Sequence, residues 1–414
     1  MPHSTQAARR LPQGELIAML AFLFATVAFS IDAMLPALPQ IATELTPDDV
    51  NRAQLILTSF VAGMGVGTLF AGPISDALGR KRAMGIGFSV YLVGAIAALF
   101  VNSLTPLLVA RFVQGLGAAG PRIVGTALVR DLYQGREMAR ITSFIMTVFM
   151  IVPALAPSIG QGFIWLGGWH AVFGGFVLFA LIGWLWFSLR QAETLPPEAR
   201  RPLRPRALAQ GAREVLSDRQ VLLCTLVMSL GFGQMFALLS SAQQLFGETY
   251  GKGAQFPLWF AALALLAASG TVFNARLVMR LGMRRIARGA YAMQVGMSGL
   301  FLLTLWTGVL PEGLRFPAFF LWAVSVFTMA GLTFGNLNAL AMQGMGHLAG
   351  MTASVTASVS TLAAVLIAAP VGLAYDGTAE PVAVATLVCS ALAWVIMHWL
   401  SGAPPAPRAP ASAG

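Results

Sequence analysis

The chain has 414 residues, of which 57% are hydrophobic and only 10% charged, with 43 glycines and a mean hydropathy of +0.75. These values lie far from those of a soluble globular domain and place the chain in a lipid bilayer. Basic residues exceed acidic ones by 26 to 16, but they fall in short loops between apolar runs, which removes the main support for a nucleic-acid partner.

In chain order, Arg9 and Arg10 precede an apolar run that continues past Asp32 to Pro39 without a small-residue cleavage site. It reads as a first retained span rather than a signal peptide. A spanning helix needs about 20 mostly apolar residues. Runs of that kind are expected at 16–37, 54–74, 83–101, 106–128, 142–164 and 171–189, and again at 220–246, 256–275, 287–309, 316–341, 352–374 and 381–400. The predicted fold is therefore all-α and integral to the membrane, with twelve helices in two six-helix bundles. Residues 1–15 form an N-terminal tail, 16–189 the first bundle, 190–219 an Arg- and Pro-rich linker without apolar periodicity, 220–400 the second bundle, and 401–414 a disordered tail.

With a cytoplasmic N-terminus, 21 basic residues fall on the inner side, three (Arg52, Lys252, Arg315) on the outer side, and Arg111 and Arg122 within a span. The positive-inside rule then puts both termini in the cytoplasm. The stretch "GTLFAGPISDALGRKR", residues 67–82, aligns without gaps to "GTVFNARLVMRLGMRR", residues 270–285, and each closes the second span of its half. Such a parallel repeat is the architecture of a carrier that rocks two bundles about a midplane site.

Asp32 is the only carboxylate well inside an expected span, which makes it the default proton site of a coupled carrier. It lies about five residues before the outer end of span one, and Arg111 about five residues after the start of span four. At 1.5 Å per residue both sit about 7–8 Å below the outer surface. Access to Arg111 would switch the protonation of Asp32 between states; the alternative is a fixed ion pair that stabilises the bundle. Arg122 stands about 16 Å deeper than Arg111 on nearly the same face, with Gln114 one turn from Arg111, so span four presents a cationic stripe. For Arg122 the alternative is snorkelling to the cytoplasmic surface. Pro121 beside it is placed to kink the helix.

Pro153, Pro157, Gly160 and Gly162 break the regularity of span five and allow close approach of a neighbour. In the second half, Gln234, Ser240, Gln243 and Gln244 on span seven and Asn336 and Asn338 on span ten are neutral groups available to cargo or to other helices. Trp259 and Phe260 suit a planar ligand or an interfacial anchor. Cys224, Met228 and Met235 share a face and have the softness for Cu(I), yet 19 methionines make chance stripes common. Cys224 and Cys389 give neither a disulfide framework nor a metal spacing. No metal site, no cofactor, no phosphate-binding loop and no hydrolytic triad is expected, so neither an enzyme nor an ATP-driven pump is indicated.

The loop "GPISDALGRKR" carries Gly72, Asp76, Gly79, Arg80 and Lys81 in a pattern that resembles the signature loop of the major facilitator superfamily, and the resemblance implies a gating role for it. In the second copy Met279 stands where Asp76 does in the first. The stretches "FSIDAMLPALPQIA", "RFVQGLGAAGP", "VRDLY", "VPALAPSIGQGFIWLGGWHAVF" and "HLAGMTASV" resemble the bicyclomycin and chloramphenicol resistance branch of drug:proton antiporters across residues 16–400. Three departures from that pattern stand out: Arg122, Gln161, and the pair Gln343 and Gly344. The resemblance implies alternating access, protons and a small organic substrate as partners, export of drugs by proton antiport, a monomer, and the bacterial inner membrane. The alternatives are import of a nutrient such as riboflavin or a nucleoside, transport of Cu(I), and a sensor that binds without transporting.

Overall fold

The computed structural model describes residues 11–401, over which every regular element is helical. The expected disordered tail lies outside the described residues, apart from its first position. Helices are α1 (Gln13–Asp32), α2 (Leu38–Leu45), α3 (Leu55–Leu78), α4 (Arg80–Ala98), α5 (Leu104–Leu132), α6 (Gly135–Arg190), α7 (Pro205–Ser217), α8 (Arg219–Gln244), α9 (Phe256–Leu281), α10 (Met283–Thr307), α11 (Glu312–Met342), α12 (Ala349–Leu373) and α13 (Glu380–Ser401). Among the described residues, eight helical stretches are long and apolar enough to cross a bilayer. Helices dominate because lipid offers no partner for backbone N–H and C=O groups, and a helix satisfies them internally.

The expected fifth and sixth spans form one helical stretch broken at Gly167 and Gly168, where Gly168 has φ +67. That backbone is open to glycine and strained for other residues. Trp169, next in sequence, is buried and donates from its indole nitrogen to Glu44 at 2.6 Å, which pins the break.

Small residues set the packing. A Cβ at Gly63 or Gly67 on α3 would overlap backbone carbonyls of Phe112 or Leu116 on α5, and one at Gly94 or Gly117 would overlap the α4–α5 contact. Without a hydrophobic force between helices in lipid, such backbone proximity supplies the van der Waals attraction. The result holds α5 between α3 and α4, with α1 on its inner side. On the C-terminal side α8 lies against α11, α12 and α13, and α10 against α11 and α13. The two sides meet along α3–α12, where Ser358 Oγ donates to the Gly65 carbonyl at 2.7 Å, and along α6–α9.

The linker departs from the expectation of a segment without periodicity. It contains α7, whose Leu208, Ala212, Val215 and Leu216 recur at helical spacing and turn inward, with Val215 fully buried against the starts of α8 and α12. Interleaved arginines hide this pattern in the sequence. The stretch before α7 attaches to the first signature loop: the Arg201 amide donates to the Asp76 carbonyl at 3.0 Å.

Candidate functional site

Arg111 is fully buried in α5, and each of its three nitrogens donates a hydrogen bond. Nη1 donates to Gln114 Oε1 at 2.7 Å and Nη2 to the Ser30 carbonyl at 3.0 Å, while Nε reaches the Ile56 carbonyl at 3.4 Å. The guanidinium also lies over the Phe60 ring, 4.4 Å from its centroid. Ser30, part of this cradle, shares a 2.6 Å hydrogen bond with Tyr91. Sequence reasoning missed Ser30, Ile56, Phe60 and Tyr91, because a helical spacing indicates depth but not which neighbour helix turns toward a residue.

Asp32 ends α1 two residues from the Ser30 carbonyl and is buried. Among the described residues its carboxylate has neither an ion pair nor a hydrogen bond, so the two groups that share a depth are not paired in this conformation. Directly beyond it, the span-five motif makes contact. A Cβ at Gly160 would overlap the Ala33 carbonyl, so the glycine is what lets α6 touch α1 there, whereas Gly162 has open space around it. Pro153 and Pro157 lie inside α6, about two turns and one turn before Gly160 respectively.

Arg122 differs from Arg111. It is exposed. Val113 opens with Val109, Val93 and Ala97 onto an outward apolar crevice of about 390 Å³ between α4 and α5. Nine residues at 100° each put Arg122 diametrically opposite, on the inner face. Gly125 meets Phe24 of α1, and Ile123 lies toward Gly72 of α3, so Arg122 points into the sector between α1 and α3. Thr126 and Arg130 continue the exposed stripe, and Arg130 comes within 4.0 Å of a Cβ placed on Gly350 of α12.

The first signature loop is latched. Gly79 has φ +94, and Arg80 is buried, bonded to Asp76 at 2.7 Å, Asp131 at 2.7 Å and Ser75 at 2.9 Å. Glu193 from the linker accepts the amides of Arg80 at 2.8 Å and Lys81 at 3.0 Å, which caps the orphan donors of α4 and places a carboxylate at its positive end. Sequence reasoning missed Glu193 as well, since a cap supplied from 113 positions away has no local signature. Gly72 lies against Ser354 of α12. In the second copy Gly282 has φ +79, but Met279 is 89% exposed, and among the described residues Arg284 bonds only Gln220, at 3.2 Å.

Most of the C-terminal candidates are engaged with neighbouring groups of the same half. Gln234 accepts from Ser390 at 2.7 Å, and Asn336 donates to Asn274 at 2.7 Å and to the Leu332 carbonyl at 2.8 Å. Ser240 donates to the Ala237 carbonyl, and Trp259 bonds Gln255 and packs edge-on against Phe316 and Phe320 near one end of α9. Gln243 is buried with an unpartnered carbonyl, and Asn338 is half-buried. Cys224 and Met228 belong to one core cluster and Met235 to another, so the soft-ligand stripe divides between two packings.

At the end remote from the linker, a seam of amides joins the two sides. Gln54 donates to Gln244 and accepts from Ser241 at 3.0 Å. Gln244 donates to Asn51 at 3.0 Å, and Asn51 donates to the Tyr375 carbonyl at 2.7 Å. Gly372 admits Gln54, because a Cβ there would overlap its amide oxygen. Gln244, a cavity candidate by its place on span seven, is part of this closure. The seam closes one end, while the Arg122 stripe is exposed toward the other.

A bilayer-length helical chain built on paired glycine loops, with charged groups facing its interior, is a multi-pass membrane transporter. The Major Facilitator Superfamily model matches residues 20–368, and the chain belongs to that superfamily. A bicyclomycin resistance protein homolog from Haemophilus influenzae is 29% identical over 379 residues, covering 90% of this chain and 92% of its own. A chloramphenicol resistance protein from Pseudomonas aeruginosa is 28% identical over 384 residues, covering 89% and 86%. These relatives place the chain in the bicyclomycin and chloramphenicol resistance branch. The xylose transporter XylE from E. coli, in a partially occluded inward open conformation, superposes with a TM-score of 0.73 at 13% identity over 95% of this chain and 100% of that one, a likeness of fold alone.

Proposed function

We propose that the protein is a proton-coupled exporter of amphipathic organic compounds in the bacterial cytoplasmic membrane. In this reading residues 16–189 and 220–400 are two bundles of six spans, twelve in all, that rock about a central site as a monomer. Residues 190–219 and both termini are cytoplasmic, in line with the positive-inside count. The seam of Asn51, Gln54 and Gln244 then closes the outer side, and the conformation is open inward.

The observation that carries the reading is Asp32, a buried carboxylate with neither an ion pair nor a hydrogen bond among the described residues, two positions from the Ser30 carbonyl that Arg111 holds. An isolated ionised carboxylate in this setting costs several kcal/mol, and taking up a proton relieves the cost. Arg111 holds the wall of the proton site, and rotation of α1 against Arg111 would stabilise the ionised form. The first loop, fastened by Arg80 to Asp76 and Asp131, supplies a bistable contact for the rocking motion. Drug export is supported by the names of the relatives, and by the C-terminal polar groups being paired with one another rather than presented together to a single nutrient.

The test is transport by the full chain in proteoliposomes under an imposed pH gradient, with bicyclomycin, chloramphenicol, riboflavin and Cu(I) as probes. Gradient-driven movement of a drug, uncoupled in Asp32→Asn, is expected. Equal gradient dependence in both proteins would move the proton site elsewhere, and movement of riboflavin or Cu(I) alone would replace the cargo.

A further inference from the structure

Arg122 has no role in the proposed proton site, since Asp32 lies about three turns away along the bundle axis. It is not a structural ion pair either: among the described residues its guanidinium has neither a carboxylate within ion-pair distance nor a hydrogen bond. Its backbone carbonyl accepts from the Thr126 hydroxyl, but that bond leaves the side chain untouched. It does not face the crevice side of α5 either, since Val109 and Val113 open half a turn round the helix from it.

A guanidinium carries five donors in a planar fork. Left open within a low-dielectric interior, it attracts a negative charge much more strongly than it would in water. Two buried arginines show what a satisfied guanidinium looks like here: Arg111 is cradled by carbonyls and a ring, and Arg80, at the start of α4, by two carboxylates. Arg122 alone of the three is presented to an exposed interior with all its donors unspent.

We infer that Arg122 is the anion-recognition residue of the transport site, and that the preferred cargo carries a carboxylate or another oxyanion that the guanidinium receives side-on. The assignment rests on the reading of the chain as a carrier with a central site open on the linker side, and it names the cargo class of that site. Arg130, two turns on along the same exposed stripe, extends the positive potential toward the linker side. Permanently cationic compounds are disfavoured by the same field.

The experiment is equilibrium binding of the full chain in phosphatidylcholine nanodiscs, with radiolabelled 1-naphthoate and 1-naphthamide, which match in shape and differ in charge. Wild type is expected to bind the acid about tenfold more tightly than the amide, the scale of a charge-assisted fork against a neutral bond. In Arg122→Gln the acid should fall to the level of the amide, and Arg122→Lys should keep part of the preference. No preference in wild type, or a preference that survives in Arg122→Gln, overturns the assignment. The same discs with phosphatidylglycerol separate the two sources of oxyanion: loss of the acid's advantage only when that lipid is present assigns Arg122 to a lipid headgroup and overturns the cargo claim. Gradient-driven transport of the amide alone would sink this inference and leave the carrier reading intact. Acid-selective binding without any gradient-driven movement would do the reverse.

Discussion

Arg111 and Arg122 stand on one helix, eleven residues apart and on nearly the same face, and they do opposite things. Arg111 is fully buried with all three nitrogens directed at acceptors, while Arg122 is exposed inside the protein with none engaged. The difference comes from the neighbours. Near Arg111, Gly115 and Gly94 draw α3 and α4 tightly onto α5, so carbonyls and an aromatic ring close around the guanidinium. Near Arg122 no acceptor among the described residues comes within hydrogen-bond or ion-pair distance of the guanidinium. A cation within a bilayer-spanning helix is therefore no single kind of signal; its spent or unspent donors decide between scaffold and ligand contact.

The largest effect that tests this contrast is Arg111→Met. It leaves Gln114, Ser30 and Ile56 without their donor and removes the ring contact, and should cost about 3 kcal/mol of stability. Thermal unfolding of the purified chain in detergent reads the loss, and an unchanged melting temperature would mean that the cradle is not structural. Next come the two span-five glycines. Gly160→Ala drives a methyl into the Ala33 carbonyl beside Asp32 and should destabilise by about 2 kcal/mol. Gly162→Ala meets open space, and the gain in helix propensity should make it neutral or stabilising by about 0.5 kcal/mol. Equal behaviour of the pair in the same melt would show that the approach of α6 to α1 is looser than its geometry.

A third comparison repeats the spent-and-unspent theme in the two signature loops. Arg80→Gln breaks bonds to Asp76 and Asp131, the first of which is half exposed and the second mostly buried, and should cost about 1–2 kcal/mol. Arg284→Gln loses one 3.2 Å bond to Gln220 and should cost less than about 0.5 kcal/mol. Reversal of that order would show that the second loop, despite Met279, carries the tighter latch.

The apolar spans, the repeat and the isolated positions of Asp32, Arg111 and Arg122 are legible in periodicity and charge. These features are local, being run length, spacing and loop charge. What stays hidden is tertiary. The cap of α4 by Glu193 joins residues 113 positions apart. The seam through Gln54 and Gln244 joins residues 190 apart, and in the sequence both look like any polar group at a span end. Helix α7 is hidden for another reason: its apolar face, Leu208, Ala212, Val215 and Leu216, is interrupted by arginines that make the segment read as a solvated linker. Depth along a helix can be counted from sequence, so the shared level of Asp32 and Arg111 is expected. Rotation toward a partner cannot be counted, so the missing ion pair is not.

The smallest effect is the one that most sharpens the contrast. Arg122→Gln removes a charge that touches nothing, and so should shift stability by no more than about 0.5 kcal/mol, where Arg111→Met costs several times that. The reason is the same accounting of donors: a guanidinium with no protein acceptor leaves no orphan behind when it goes, and removing it even relieves the cost of holding a bare cation among apolar helices. A gain in melting temperature for Arg122→Gln would therefore agree with the contrast, since residues held ready for a ligand are commonly kept at some expense to the fold. A loss of several degrees would mean that Arg122 has a partner in the resting protein, and the distinction between the two arginines would fall.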